Sequence, residues 1–158
     1  MMDWFVRAFL KASLVWLAVG TSVGVAMALW PALIGWRPVH LHALLLGFVA
    51  MMIFGVAYHV IPRFTGMPLR HLRAAGVHVW LANGGLLVLI AGFALRAHAV
   101  AGFAALLAIG GMLSALGAYL FALNIWRTID SATARDRERA ARTGTVSPAR
   151  SPMQIITS

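Results

Sequence analysis

The chain has 158 residues, of which 61% are apolar and only 11% are charged, and its formal net charge is +9. So few charged residues cannot cover a water-soluble domain of this length. We therefore expect lipid to surround most of the chain. The positive charge lies at the ends of apolar runs and after the last one, which argues against a nucleic-acid-binding surface. The absence of cysteine excludes disulfides, iron–sulfur clusters, thiolate zinc and covalently attached c-type haem.

Four apolar runs follow one another along the chain and predict an all-α, four-helix membrane bundle. The runs are residues 12–33, 40–61, 74–95 and 99–126. Each has about 20 residues or more, enough to cross a hydrocarbon core of about 30 Å as a helix. We expect a transmembrane domain at residues 1–129 and a cytoplasmic basic tail at residues 130–158, disordered towards its end.

The distribution of basic residues predicts the orientation of the bundle. Two basic residues precede the first run, three lie between the second and third, and six follow the fourth, whereas only Arg37 and Arg96 mark the other side. By the positive-inside rule, both termini lie in the cytoplasm of a bacterial-type inner (plasma) membrane. A signal peptide cleaved after Ala28 is the competing interpretation. The length of the first run and the early pair Trp4-Phe5 disfavour it.

Two histidines open the second run, and an ionisable residue inside a membrane marks a function by default. His40 and His42 are two residues apart, so on a regular helix they point about 200° apart and cannot bind one metal unless the helix start is unwound. On the side of His40, Gly47 is expected to leave room for a porphyrin, whereas Leu46 crowds the side of His42. The alternative for His40 is a histidine that caps the helix at the membrane interface.

Other polar and small residues inside the runs have more than one interpretation. His59 and His78 lie in the inner halves of the second and third runs, where they could share a second haem or a metal, or each form hydrogen bonds within the bundle. The motif from Gly20 to Gly24 allows close helix packing within the chain or dimerisation. Paired glycines near the middle of the third and fourth runs could admit a flat cofactor. The runs contain no Asp or Glu, which disfavours a proton-driven transporter.

The second run resembles the second transmembrane helix of haem–copper oxidase subunit I, in particular the nitric oxide reductase and cbb-type branches. The resemblance rests on Arg37-Pro38-Val39-His40, Gly47-Phe48 and Ala57-Tyr58-His59-Val60-Ile61-Pro62-Arg63. The stretch also resembles the NnrS family of haem- and copper-containing membrane proteins, through its closing motif Pro62-Arg63-Phe64-Thr65-Gly66. In the oxidases the histidine of R-x-x-H is an axial ligand of a low-spin haem b. The resemblance implies that His40 binds haem b and that Arg37 meets a propionate, while His42 stands where the oxidases have asparagine.

This resemblance implies a haem b-binding membrane protein that acts in electron transfer or in haem and nitric oxide handling. The chain has neither H-x-x-x-Y nor an adjacent His-His pair, so we do not expect it to build an oxidase copper centre or to reduce oxygen alone. A second axial ligand must come from His42, His98, a methionine or another chain. Besides the bilayer, we therefore expect a homo-oligomer or a larger membrane complex as partner. The alternatives are a copper- or haem-handling accessory protein for oxidase assembly, with His40 and His42 as a transient copper site, and a structural subunit.

Overall fold

The computed structural model describes residues 2–142, which form helices and short turns with no strand among them. The expected disordered end of the tail, residues 143–158, lies outside the described residues. The helices are α1 (Trp4–Leu29), α2 (Arg37–His42), α3 (Met51–Thr65), α4 (Leu72–Ala97) and α5 (Phe103–Arg142). A 3₁₀ turn, Pro31–Trp36, precedes α2, and a π-helical segment, Ala43–Ala50, joins α2 to α3. These elements give four stretches long and apolar enough to cross a membrane, which confirms the all-α, four-span prediction for the described residues.

The first helix begins earlier than the apolar run that predicted it. It starts at Trp4 rather than at residue 12. Its first turns are amphipathic, because Phe5 and Phe9 are buried in the core while Arg7 is exposed. A search for continuous apolar sequence misses such turns, since the charged residue interrupts the run without leaving the helix.

The prolines interrupt the second span less than the sequence predicted. Pro38 lies in the first turn of α2, where the missing backbone N–H has no partner to lose. The helix also continues through Pro62 to Thr65 and is capped by Gly66, whose φ of 60° is in the left-handed region that glycine adopts without strain. The whole span, residues 31–65, is therefore longer than the predicted 40–61.

The last two helices form a closely packed antiparallel hairpin. α4 exceeds the predicted 74–95 by two residues at each end, while α5 begins at Phe103 and continues well beyond residue 126. A Cβ on Gly85 would lie 2.8 Å from the backbone nitrogen of Ser114, and one on Gly110 would lie 2.7 Å from the Cα of Leu89. These mid-membrane glycines bring the two helices together and leave no room for a flat cofactor between them.

One end of the bundle, which we call the basic end, contains the start of α1, the end of α3, the start of α4 and Asn124 of α5. Contacts hold it together: a Cβ on Gly76 would lie 2.8 Å from Cζ2 of Trp4, and Arg135 donates to the carbonyl oxygen of Gly66 at 2.9 Å. The 3₁₀ turn and the start of α2 lie at the opposite end. His40 is therefore at the opposite end of the bundle from the clustered arginines.

Candidate functional site

The ring of His40 lies in a notch on the surface of α1. Its Nδ1 is 2.8 Å from the carbonyl oxygen of Gly20, and a Cβ on Gly24 would lie only 2.7 Å from its Cε1. The two glycines of the α1 motif thus pack within the chain, against the second span. A carbonyl oxygen can only accept a hydrogen bond, so Nδ1 of His40 carries the proton. The other ring nitrogen, Nε2, then has a free lone pair, which is the state that a metal ligand requires.

His42 points away from His40, as the spacing predicted. Its Nδ1 donates to the carbonyl oxygen of Pro38 at 2.8 Å, so it too holds a proton at Nδ1. Its ring lies against Phe93 of α4, with 4.6 Å between the ring centroids. Because α2 is regular from Arg37 to His42, the helix start is not unwound and the two histidines are not brought together. Residues 2–142 hold no group of three or more His, Asp or Glu side chains placed to bind a metal ion.

Gly47 does not face an open space below His40, contrary to the expectation from sequence. A Cβ on Gly47 would lie 2.5 Å from Cγ of Trp16 and 3.0 Å from Cδ2 of Leu86. The indole of Trp16 therefore fills the room expected for a porphyrin. Gly47 lies on the same side of the second span as His40, since both face α1, and the packing of α1 against that side takes up the space.

Arg37 lies one turn before His40, at the start of α2, and is exposed. Within residues 2–142 its guanidinium makes no hydrogen bond or ion pair. Its position next to the histidine leaves it able to pair with an anionic group that approaches His40 from outside the bundle.

His59 and His78 have different surroundings, and the structure does not bring them together. Nη1 of Arg63 donates to Nδ1 of His59 at 2.9 Å and to the His59 carbonyl oxygen at 2.6 Å, on the exposed side of α3. His78 is completely buried, and its Nδ1 is 3.1 Å from the hydroxyl oxygen of Tyr58. The partner of His78 is thus the residue that precedes His59 in the chain.

Aromatic rings enclose His78 on the remaining sides. Its ring centroid lies 4.6 Å from that of Phe54, 4.8 Å from that of Phe9 and 5.7 Å from that of Phe121. Its Nε2 is buried and has no hydrogen-bond partner in the described part of the chain. Rings this close leave no side open to a macrocycle. Sequence reasoning missed Tyr58, although a phenol inside an apolar run needs a polar partner and so signals a buried pair.

The two histidines in connecting segments are exposed. His71 precedes α4. His98 follows α4, and its ring lies against Trp36 at the opposite end of the bundle, with 5.7 Å between the centroids. Neither His42 nor His98 is placed beside the free nitrogen of His40.

Comparison with known proteins gives one distant relative. No protein-family model matches the chain, and no solved structure matches it. The cbb3-type cytochrome c oxidase subunit CcoN1 of Stutzerimonas stutzeri is 27% identical over 164 aligned residues. The alignment covers 84% of this chain but only 34% of that protein, so the chain spans about a third of the length of its relative. The similarity supports a distant resemblance to haem–copper oxidase subunit I and agrees with a multi-pass membrane protein.

Proposed function

We propose that the chain binds haem b through Nε2 of His40 and acts in electron transfer or in haem and nitric oxide handling, as a distant relative of haem–copper oxidase subunit I. The observation that carries the proposal is the hydrogen bond from Nδ1 of His40 to the carbonyl oxygen of Gly20. It fixes the tautomer in which Nε2 is free to bind iron. The distant relative supports the proposal, since its name places it in a cytochrome c oxidase.

Each residue around His40 has a separate task in this proposal. The Gly20 carbonyl holds the ring in one orientation and makes Nε2 a stronger donor to a metal. Gly24 leaves the space that the ring occupies on α1. Arg37 neutralises a propionate at the end of the bundle. The bound haem would supply a one-electron redox couple, and its axial ligands and surroundings set the potential.

The surroundings of the other histidines support a haem shared with a second chain. The ring of His42 lies against Phe93 and that of His98 against Trp36, so neither is placed to complete the coordination of His40. Trp16 fills the space at Gly47 inside the bundle. We therefore propose that His40 would hold the haem and that a second copy or another subunit of a membrane complex would supply the remaining ligand. The opposed rings of His40 and His42 give no support to a shared copper site.

An absorption spectrum of the purified protein, oxidised and reduced, with a haem count per chain, tests the proposal. The wild-type protein should show a haem b spectrum. His40→Ala should abolish that spectrum while the protein still inserts, because the proposed axial ligand has been removed. His42→Ala is the matched control, two residues away in the same turn, and should keep its haem. Haem retained by His40→Ala would contradict the proposal, and a wild-type protein without haem would favour a structural subunit.

A further inference from the structure

Two clefts lie side by side at the basic end of the bundle, and both use the surface of α5. The polar cleft has a volume of about 400 Å³ and is lined by Arg70, His71, Arg127, Asp130 and Ser131. The apolar cleft has a volume of about 300 Å³ and is lined by Ala122, Ile125, Trp126, Ile129 and Asp130. Asp130 belongs to both, so a charged cleft and a hydrophobic cleft adjoin at the end of a membrane span.

Hydrogen bonds fix the wall of the polar cleft that faces α5. The hydroxyl oxygen of Thr128 accepts from the backbone nitrogen of Arg70 at 3.1 Å. The side chain of Asn124 accepts from the backbone nitrogen of His71 at 3.1 Å and donates to its carbonyl oxygen at 3.0 Å. Asn124 and Thr128 are both buried. The backbone at residues 70 and 71 is therefore held against α5 before any ligand arrives, which lowers the entropic cost of binding.

The charges of the polar cleft favour an anion. Arg70 and Arg127 approach the cleft from different elements, and neither makes an ion pair within residues 2–142. Two guanidinium groups and one carboxylate, Asp130, give the lining a net positive charge. Guanidinium groups bind phosphate oxygens through paired hydrogen bonds. The carboxylate and the hydroxyl of Ser131 can in turn bond to hydroxyl groups attached to that phosphate.

The apolar cleft favours a hydrocarbon chain. Trp126 is 70% exposed and Ile129 is 43% exposed, because both face outward from a helix that crosses the membrane. Exposed tryptophan is typical of the level where the hydrocarbon core meets the headgroups. An anion in the polar cleft would thus lie at headgroup depth, directly beside a groove at acyl-chain depth.

We propose that these two clefts together bind one anionic glycerophospholipid. Its phosphate lies between Arg70 and Arg127, and an acyl chain lies along the apolar cleft. Basic pockets between transmembrane helices bind anionic headgroups in this way. The site is at the opposite end of the bundle from His40, so it does not depend on haem binding.

Native mass spectrometry and thermal unfolding of the full chain in detergent test the site. We expect phosphatidylglycerol to bind one to one and to raise the melting temperature, whereas phosphatidylcholine with the same acyl chains does neither. Arg70→Gln combined with Arg127→Gln should weaken phosphatidylglycerol binding about tenfold or more, because charge-assisted hydrogen bonds are lost. Arg137→Gln combined with Arg142→Gln is the matched control, since it removes the same charge from exposed positions outside both clefts and should leave binding unchanged.

Further measurements distinguish a lipid site from a free-anion site and from unspecific charge attraction. Ile129→Gln should weaken phosphatidylglycerol binding although no charge is lost, because the acyl chain would meet a polar group. Inorganic phosphate should not raise the melting temperature; a rise equal to that with lipid would show a free-anion site and overturn the proposal. Equal loss of binding in the control pair would show unspecific charge attraction and overturn it too. Unchanged binding in the Arg70 and Arg127 pair would have the same consequence.

Discussion

The ring of His40 occupies a space on α1 that exists only because residue 24 lacks a side chain. A Cβ at this position would lie 2.7 Å from Cε1 and 2.9 Å from Nδ1 of the ring. The ring cannot retreat without losing its hydrogen bond to the Gly20 carbonyl. We expect Gly24→Ala to lower the haem content per chain, because the ligand is displaced while its chemistry is unchanged.

The control for this substitution is Gly84→Ala. No heavy atom lies within 4 Å of a Cβ at Gly84, so the same change there should leave the haem content unaffected. The measurement is the reduced-minus-oxidised spectrum, normalised to protein. Equal haem in the two variants would show that the notch on α1 does not position the ligand.

At the level of single residues, the sequence predicted directions better than surroundings. The two-residue spacing of His40 and His42 fixed their opposite directions, because α2 is regular. The expectation of free space at Gly47 was wrong, because the sequence does not show that Trp16 of α1 packs against this glycine. The contact with the Gly20 carbonyl was equally beyond reach, because it depends on how α1 and the second span cross.

The hairpin of α4 and α5 depends on glycine at a few positions and not at their neighbours. A Cβ on Gly110 would lie 2.7 Å from the Cα of Leu89, which cannot move aside without moving α4. No heavy atom lies within 4 Å of a Cβ on Gly111. We therefore expect Gly110→Ala to destabilise the fold by about 1–3 kcal/mol through overpacking. Gly111→Ala should be neutral or slightly stabilising, because alanine favours helix.

Unfolding of the two variants in detergent, followed by circular dichroism, measures this difference. Equal stability of Gly110→Ala and Gly111→Ala would mean that α4 and α5 do not pack as described.

At the level of elements, the sequence predicted that each of the four spans exists but misplaced most of the residues at which the spans begin and end. The first helix starts earlier because Phe5 and Phe9 bury the same face on either side of Arg7. The second span ends later because Pro62 lies inside the last turns of α3 rather than after them. Hydropathy reports the part of a helix that lies in lipid, whereas the ends depend on packing and capping.

For the whole molecule, the charge asymmetry predicts that the basic end faces the cytoplasm. The chain has no cysteine, so single cysteines give a labelling signal without background. Gly35→Cys and His98→Cys, at the opposite end, should react with an impermeant thiol reagent added to intact cells. Pro68→Cys, an exposed position at the basic end, should react only after the cells are opened. Labelling of Pro68→Cys alone in intact cells would reverse the orientation.

Four apolar runs sufficed to predict the membrane bundle, because hydrophobicity over about 20 residues dominates every other signal in lipid. The second ligand that the proposed haem on His40 requires could not be predicted in the same way. If another chain supplies it, that ligand leaves no mark in this sequence, and the relative is about three times as long.

The most direct test of haem ligation by His40 is rescue with imidazole. His40→Gly removes the side chain and leaves a space of its shape beside the notch on α1, where Gly20 still presents its carbonyl oxygen. We expect the purified variant to lack the low-spin haem b spectrum and to regain it when haem and imidazole are supplied together, but not with haem alone. A wild-type spectrum in His40→Gly without imidazole would contradict ligation by His40.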